Sequence, residues 1–133
     1  MKILFDTSTV IDYLTNSFND EEKVMIETVL EKHECGISIK SAADIHYYLK
    51  ESFDDKKAKK LIDTLNNDFE ILDISNDSDI NVSGSNEEDY ENEIMIAVAV
   101  SNGYDCIVTG NIGNFRKSPI RILSINELSD IIQ

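Results

Sequence analysis

No apolar run in this sequence approaches the roughly 20 residues that a membrane-spanning helix requires, so no span is expected. Cysteine is scarce. Cys35 and Cys106 lie far apart, without the C-x-x-C or Cys/His spacing of a zinc site, and read as buried, reduced thiols. The two histidines, His33 and His46, make no ligand pair with each other or with a cysteine. His33 reads as a helix C-terminal residue and His46 as a surface or half-buried one. Basic residues are few as well: 12 Lys and Arg stand against 26 Asp and Glu, a net charge of −14. A protein held on nucleic acid mainly through phosphates is expected to carry a basic face. The one basic patch, Lys56, Lys57, Lys59 and Lys60, reads as the solvated side of a helix. Also missing are a G-x-S-x-G elbow, a G-x-x-x-x-G-K-[ST] loop and a dinucleotide fingerprint. Gly110–Asn111–Ile112–Gly113 is too short a turn to cradle a phosphate.

What is present suffices for one globular domain over residues 1–133, with 41% apolar residues to fill its core. The opening MKILFDTSTVIDYL places Asp6 inside its apolar stretch, which a signal peptide would not do, so it reads as a first strand of a cytoplasmic protein. Strands are expected at 2–6, 35–39, 69–74, 105–110 and 120–124. Helical periodicity runs over about 9–14 and 20–33, after a Ser41 cap with Asp44 at the third helical position, and after an Asp54 cap. A long helix is expected from about Glu87 to Asn102, stopped by Gly103, and a last one from Ser124 or Asn126. The stretch before the long helix reads as a loop or short helix. Residues 76–93 hold seven carboxylates and no cation, a solvated face or a cation-binding cluster. Short apolar strands alternating with helices predict an α/β three-layer sandwich around a parallel sheet of about five strands.

In such sheets ligands bind beyond the carboxyl ends of the strands, where strand order switches. Asp6 follows the first strand directly; Asp44 lies a turn past the second; Thr109, Gly110 and Asn111 follow the fourth. Asp105 precedes the fourth strand and is at the wrong end. Asp89, Asn92 and Glu93 share a helical neighbourhood at i, i+3 and i+4. Oxygen donors converging from separate segments suit Mg²⁺ or Mn²⁺. Each residue also has a plain structural role open to it: Asp6 as a turn former, Asp44, Asp89 and Glu93 as acids favoured at helix N-termini, Thr109 and Asn111 as turn residues.

The same segments, taken in order, resemble the PIN domain family, in particular its VapC-like toxin ribonucleases. MKILFDTSTVIDYL is similar to the family's opening, with Asp6, Thr7 and Asp12 matching and Ser8 where Asn is usual. GISIKSAADIHYYLKE resembles its second-strand segment, with Asp44 at the polar helix position. DYENEIMIAVAVSNGYDCIVTGNIGNF resembles the Asp–aromatic–Glu–Asp, alanine-rich helix and D-x-I-V-T-x-N signature of one branch, and SPIRILSINEL its final strand. Three positions depart from that branch: Asn92 and Asn114 stand where it has Asp, and Gly110 where it has Arg. Asn brings an oxygen but no charge and cannot act as a base.

The resemblance implies an endoribonuclease dependent on Mg²⁺ or Mn²⁺. Asp6, Asp44, Asp89, Asn92 and Glu93 would be metal ligands, and Asn111 would position water or phosphate. It implies an RNA substrate, an antitoxin protein as partner and a homodimer. The departures and the acid excess favour a second expectation, a catalytically silent PIN-like module that binds protein or RNA. A receiver-type phosphoacceptor domain would want paired acids after the first strand and a lysine after the fifth, and neither is present.

Overall fold

The short apolar runs become the strands of one parallel sheet in the computed structural model, which describes residues 1–74, 87–115 and 118–131, the side chains of 87–89 and 114 excepted. They are β1 (Lys2–Phe5), β2 (Glu34–Ser38), β3 (Glu70–Leu72), β4 (Cys106–Val108) and β5 (Arg121–Leu123), in the order β3-β2-β1-β4-β5. The chain builds outward from β1 through β2 to β3, then returns to the other side of β1 with β4. The order therefore switches between β1 and β4.

Side chains alternate across the sheet, as strand geometry dictates. Ile3, Phe5, Ile37 and Val108 enter one core with α1 (Thr7–Leu14), α2 (Asp20–Lys32), α3 (Ile39–Ser52) and α4 (Asp55–Asp68). Leu4, Leu72 and Ile107 enter a second core with Met95, Val98 and Ala99 of α5 (Glu87–Ser101). These are the three layers expected. The four lysines at 56–60 are exposed on α4, and no helix among the described residues is long and apolar enough to cross a membrane.

Two helix starts differ from the sequence expectation. Asp6 does not extend β1; it caps α1 by accepting from the Thr9 N–H at 2.9 Å. The N-cap of α3 is Ser38, which accepts from the Ser41 N–H at 3.0 Å, so Ser41 is the third helical residue and Asp44 lies in the second turn. The helix begins there because β2 ends at Ser38, whose buried hydroxyl is in reach of the unpaired N–H groups of the first helical turn. At the chain's end, Asn126–Asp130 is a 3-10 turn preceded by Ser124, which exchanges hydrogen bonds with Glu127. The acidic stretch expected to be a loop or short helix lies, over 75–86, outside the described residues.

Both cysteines are buried free thiols, their ionisation pushed up mainly by burial to about 12 at Cys35 and about 11 at Cys106. Both are in register with Ile3, one on each side of it. Two strand spacings separate their α-carbons, about 9.6 Å, too far for a disulfide.

Gly36 is where β2 and the second core meet most closely. A β-carbon there would stand 2.7 Å from the Tyr104 hydroxyl and 2.8 Å from Leu72 Cδ1, both on buried side chains. Gly36→Val is therefore expected to lower stability by about 1–3 kcal/mol, measured as a reduced urea midpoint at unchanged slope.

Candidate active site

Asp6 leaves β1, and Thr109 leaves β4, side by side at the switch in strand order. Their backbones are fixed by the continuing ladder: Asp6 N–H donates to the Val108 carbonyl at 3.0 Å and Thr109 N–H to the Leu123 carbonyl at 2.9 Å. The Thr109 hydroxyl, on a side chain 1% exposed, donates to Asp6 Oδ2 at 2.6 Å and accepts from the Asn111 N–H at 3.1 Å. Ser8 Oγ donates to the same Asp6 oxygen at 3.3 Å. With Oδ1 occupied by the helix cap, the carboxylate has a single orientation, and it borders a cleft of about 230 Å³.

The walls of that cleft come from four segments. Thr7 and Ser8 accompany Asp6 from α1; Ser38, Lys40, Ser41 and Asp44 come from the start of α3. Glu91, Asn92 and Met95 belong to α5, and Thr109, Asn111 and Phe115 follow β4. Thr7 Oγ1 and Ser38 Oγ both donate to Ser41 Oγ, at 2.9 and 3.0 Å, tying α1 to α3 beneath the opening.

Four of the residues expected from sequence, Asp6, Asp44, Asn92 and Asn111, thus meet around one opening. Glu93 is not among the described residues that line it; Glu91 is. The Asp89 and Asn114 side chains lie outside the described residues. Asp105, set aside as lying at the wrong end, accepts from the Lys2 N–H at 2.8 Å at the opposite edge of the sheet. His46 is half-buried, its Nε2 without a hydrogen-bond partner among the described residues. Sequence reasoning missed Lys40. Its ammonium lies 3.1 Å from Asp44 Oδ2 and 3.2 Å from Glu91 Oε1, joining α3 to α5 across the cleft. The Asp44 hydrogen bond, with that to Glu91, holds the ammonium's ionisation above the ordinary lysine value. The i, i+4 spacing of Lys40 and Asp44 was the available signal.

Among the described residues no three of His, Cys, Asp and Glu converge to hold a metal ion. Beside Glu91, which pairs with Lys40, the cleft offers two further carboxylates, Asp6 and Asp44, and the amide of Asn92. Hard oxygen donors in that number fit Mg²⁺, which keeps several waters and binds through one or two carboxylates together with substrate phosphates.

The PIN domain family model matches residues 2–113, and the chain belongs to that family. No curated protein matches the sequence. Among solved structures, the DNA-bound VapBC complex of Salmonella typhimurium contains a similar chain, with a TM-score of 0.72 at 19% identity over 94% of this chain and 98% of that one. VapBC2 of Rickettsia felis, bound to a DNA fragment from its promoter, gives 0.70 at 16% identity over 93% and 98%. FitAcB of Neisseria gonorrhoeae gives 0.59 at 15% identity over 92% and 97%. The fold is shared with all three.

Because Asp6 both caps α1 and faces the cleft, its replacements separate. Asn caps a helix as well as Asp does. Asp6→Ala, which removes both the cap and the acceptor of the buried Thr109 hydroxyl, is expected to lose about 1.5–4 kcal/mol of stability in chemical denaturation, and Asp6→Asn, which keeps the cap, less. Thr109→Val, which deprives Asp6 of its shortest hydrogen bond at nearly constant volume, is expected to cost about 1–3 kcal/mol.

Proposed function

We propose that this PIN domain is a metal-dependent endoribonuclease that cleaves RNA phosphodiesters and serves as the toxin of a toxin–antitoxin pair. The observation that carries the reading is Asp6: a carboxylate held in one orientation by Thr109 at the strand-order switch, on a cleft shared with Asp44 and Asn92. Asp6, Asp44 and the Asn92 side-chain oxygen would hold Mg²⁺ or Mn²⁺. The ion supplies Lewis acidity, activating water and offsetting charge on the phosphodiester. Asn92 can accept no proton, so that task falls to Asp6 and Asp44. Asn111, its N–H anchored on Thr109, borders the same opening and positions water or a phosphate oxygen. Glu91 also borders the cleft, where it pairs with Lys40 and stands outside this ligand set.

An antitoxin partner is part of the proposal because the similar chains come from the two-component VapBC and FitAB complexes. The net charge of −14 suits a basic partner segment. A homodimer would set two such clefts along one RNA.

A second reading, a silent module acting by protein or RNA binding, is favoured by Asn92 where the branch it resembles has Asp and by Gly110 where that branch has Arg. Both can be reversed. Among the described residues nothing lies within 4 Å of a β-carbon built at Gly110, which leaves room there for a larger side chain. Cleavage of single-stranded RNA with Mn²⁺ or Mg²⁺ is expected from the wild type and to fall at least about a hundredfold in Asp6→Asn. Equal cleavage by the two proteins sinks the nuclease assignment. Asn92→Asp is expected to raise the rate, and Gly110→Arg to strengthen RNA binding with a steeper salt dependence. RNA binding with no cleavage in any of these proteins would establish the second reading.

A further inference from the structure

Lys40 is the one cation among the described residues lining the cleft, and its position is not accounted for by helix geometry alone. The Asp44 contact is an ordinary i, i+4 pair within α3, but Glu91 comes from α5, 51 residues along the chain. One ammonium thus bridges two carboxylates from separate segments at 3.1 and 3.2 Å, as a bound cation would. We propose that Lys40 is a tethered, displaceable cation of this cleft: it holds Asp44 and Glu91 together in the metal-free protein and gives up Asp44 when a divalent ion binds. The proposal rests on the reading of Asp6, Asp44 and Asn92 as metal ligands.

Three considerations make the exchange physically reasonable. Carboxylates gathered on one opening repel each other, and a cation anchored by the chain relieves that repulsion before any ion arrives. The bridge is weak enough to be broken: the Lys40, Asp44 and Glu91 side chains are 43%, 44% and 40% exposed, in the range where ion pairs are screened by water. A divalent ion brings twice the charge of the ammonium it replaces. Once released, the Lys40 ammonium remains at the mouth of the cleft, where it can meet a phosphate oxygen of the substrate.

The test is calorimetric titration of the full chain with Mn²⁺ in the absence of RNA, so that the readout is binding and not turnover. Lys40→Met is expected to bind Mn²⁺ about tenfold more tightly than the wild type, and Lys40→Arg, which keeps the charge, within about twofold of it. Lys40 is exposed enough that both variants should fold; Lys40→Gln is a second charge-removing variant if Met lowers solubility. The gain must vanish when Asp6→Asn is added to Lys40→Met, which places it at this cleft; a gain that survives overturns the proposal. Equal or weaker binding by Lys40→Met, lost on adding Asp6→Asn, overturns the tethered cation while leaving the metal-site reading in place. No binding by wild type, Lys40→Met or Lys40→Gln overturns both.

Discussion

The cleft hangs on one short hydrogen bond, from the Thr109 hydroxyl to Asp6 Oδ2 at 2.6 Å. It joins the ends of two strands that are neighbours in space, through residues 103 apart in sequence, at the place where the strand order reverses. Each partner is fixed from behind by the ladder, Asp6 to β4 and Thr109 to β5, so the bond inherits the rigidity of the sheet. The other Asp6 oxygen opens α1. Strand end, helix start and cleft wall are therefore set by one carboxylate, and displacing it disturbs all three. A parallel sheet makes this possible, because every strand delivers its carboxyl end to the same edge.

The features legible in the sequence were those governed by local pattern. Apolar runs closed by polar residues located all five strands, and the Asp54 helix start was plain from residue type and spacing. The Ser38–Ile39–Lys40–Ser41 segment was not, because it offers two serines three residues apart and either can cap. The end of β2 chose Ser38, and where a strand ends is set by the packed sheet. That choice moves Asp44 from the first turn into the second, where the helix dipole no longer explains an acid. Its pairing with Lys40 and its place on the cleft are then what remains to account for it.

On α5 the obstacle was helical phase. Glu91, Asn92 and Glu93 are consecutive, and each step turns the side chain about 100° around the axis. An amphipathic helix would have shown which of them faces inward, but the IMIAVAV run after them is apolar on most sides and gives little phase information. The structure selects Glu91 and Asn92 for the cleft. The contact between Glu91 and Lys40 depends on how α5 packs against the sheet, and no local pattern carries it.

The acid excess and the poverty of the site have a common consequence for the proposed nuclease. With Asp6, Asp44 and the Asn92 amide as ligands and Glu91 paired with Lys40, the protein alone supplies few strong ligands, and with a net charge of −14 it attracts RNA poorly through its surface as a whole. Each shortage makes the other binding event more important. An ion held by Asp6 and Asp44 would supply the positive charge the surface lacks, and a phosphate would supply oxygens the chain lacks. Metal and RNA are then expected to bind cooperatively, each raising the affinity of the other by the same factor. Lys40 fits this coupling. While neither is bound it neutralises the acids, and when both arrive it has an anion to move to. A site of this kind would be quiet in the absence of substrate by simple electrostatics.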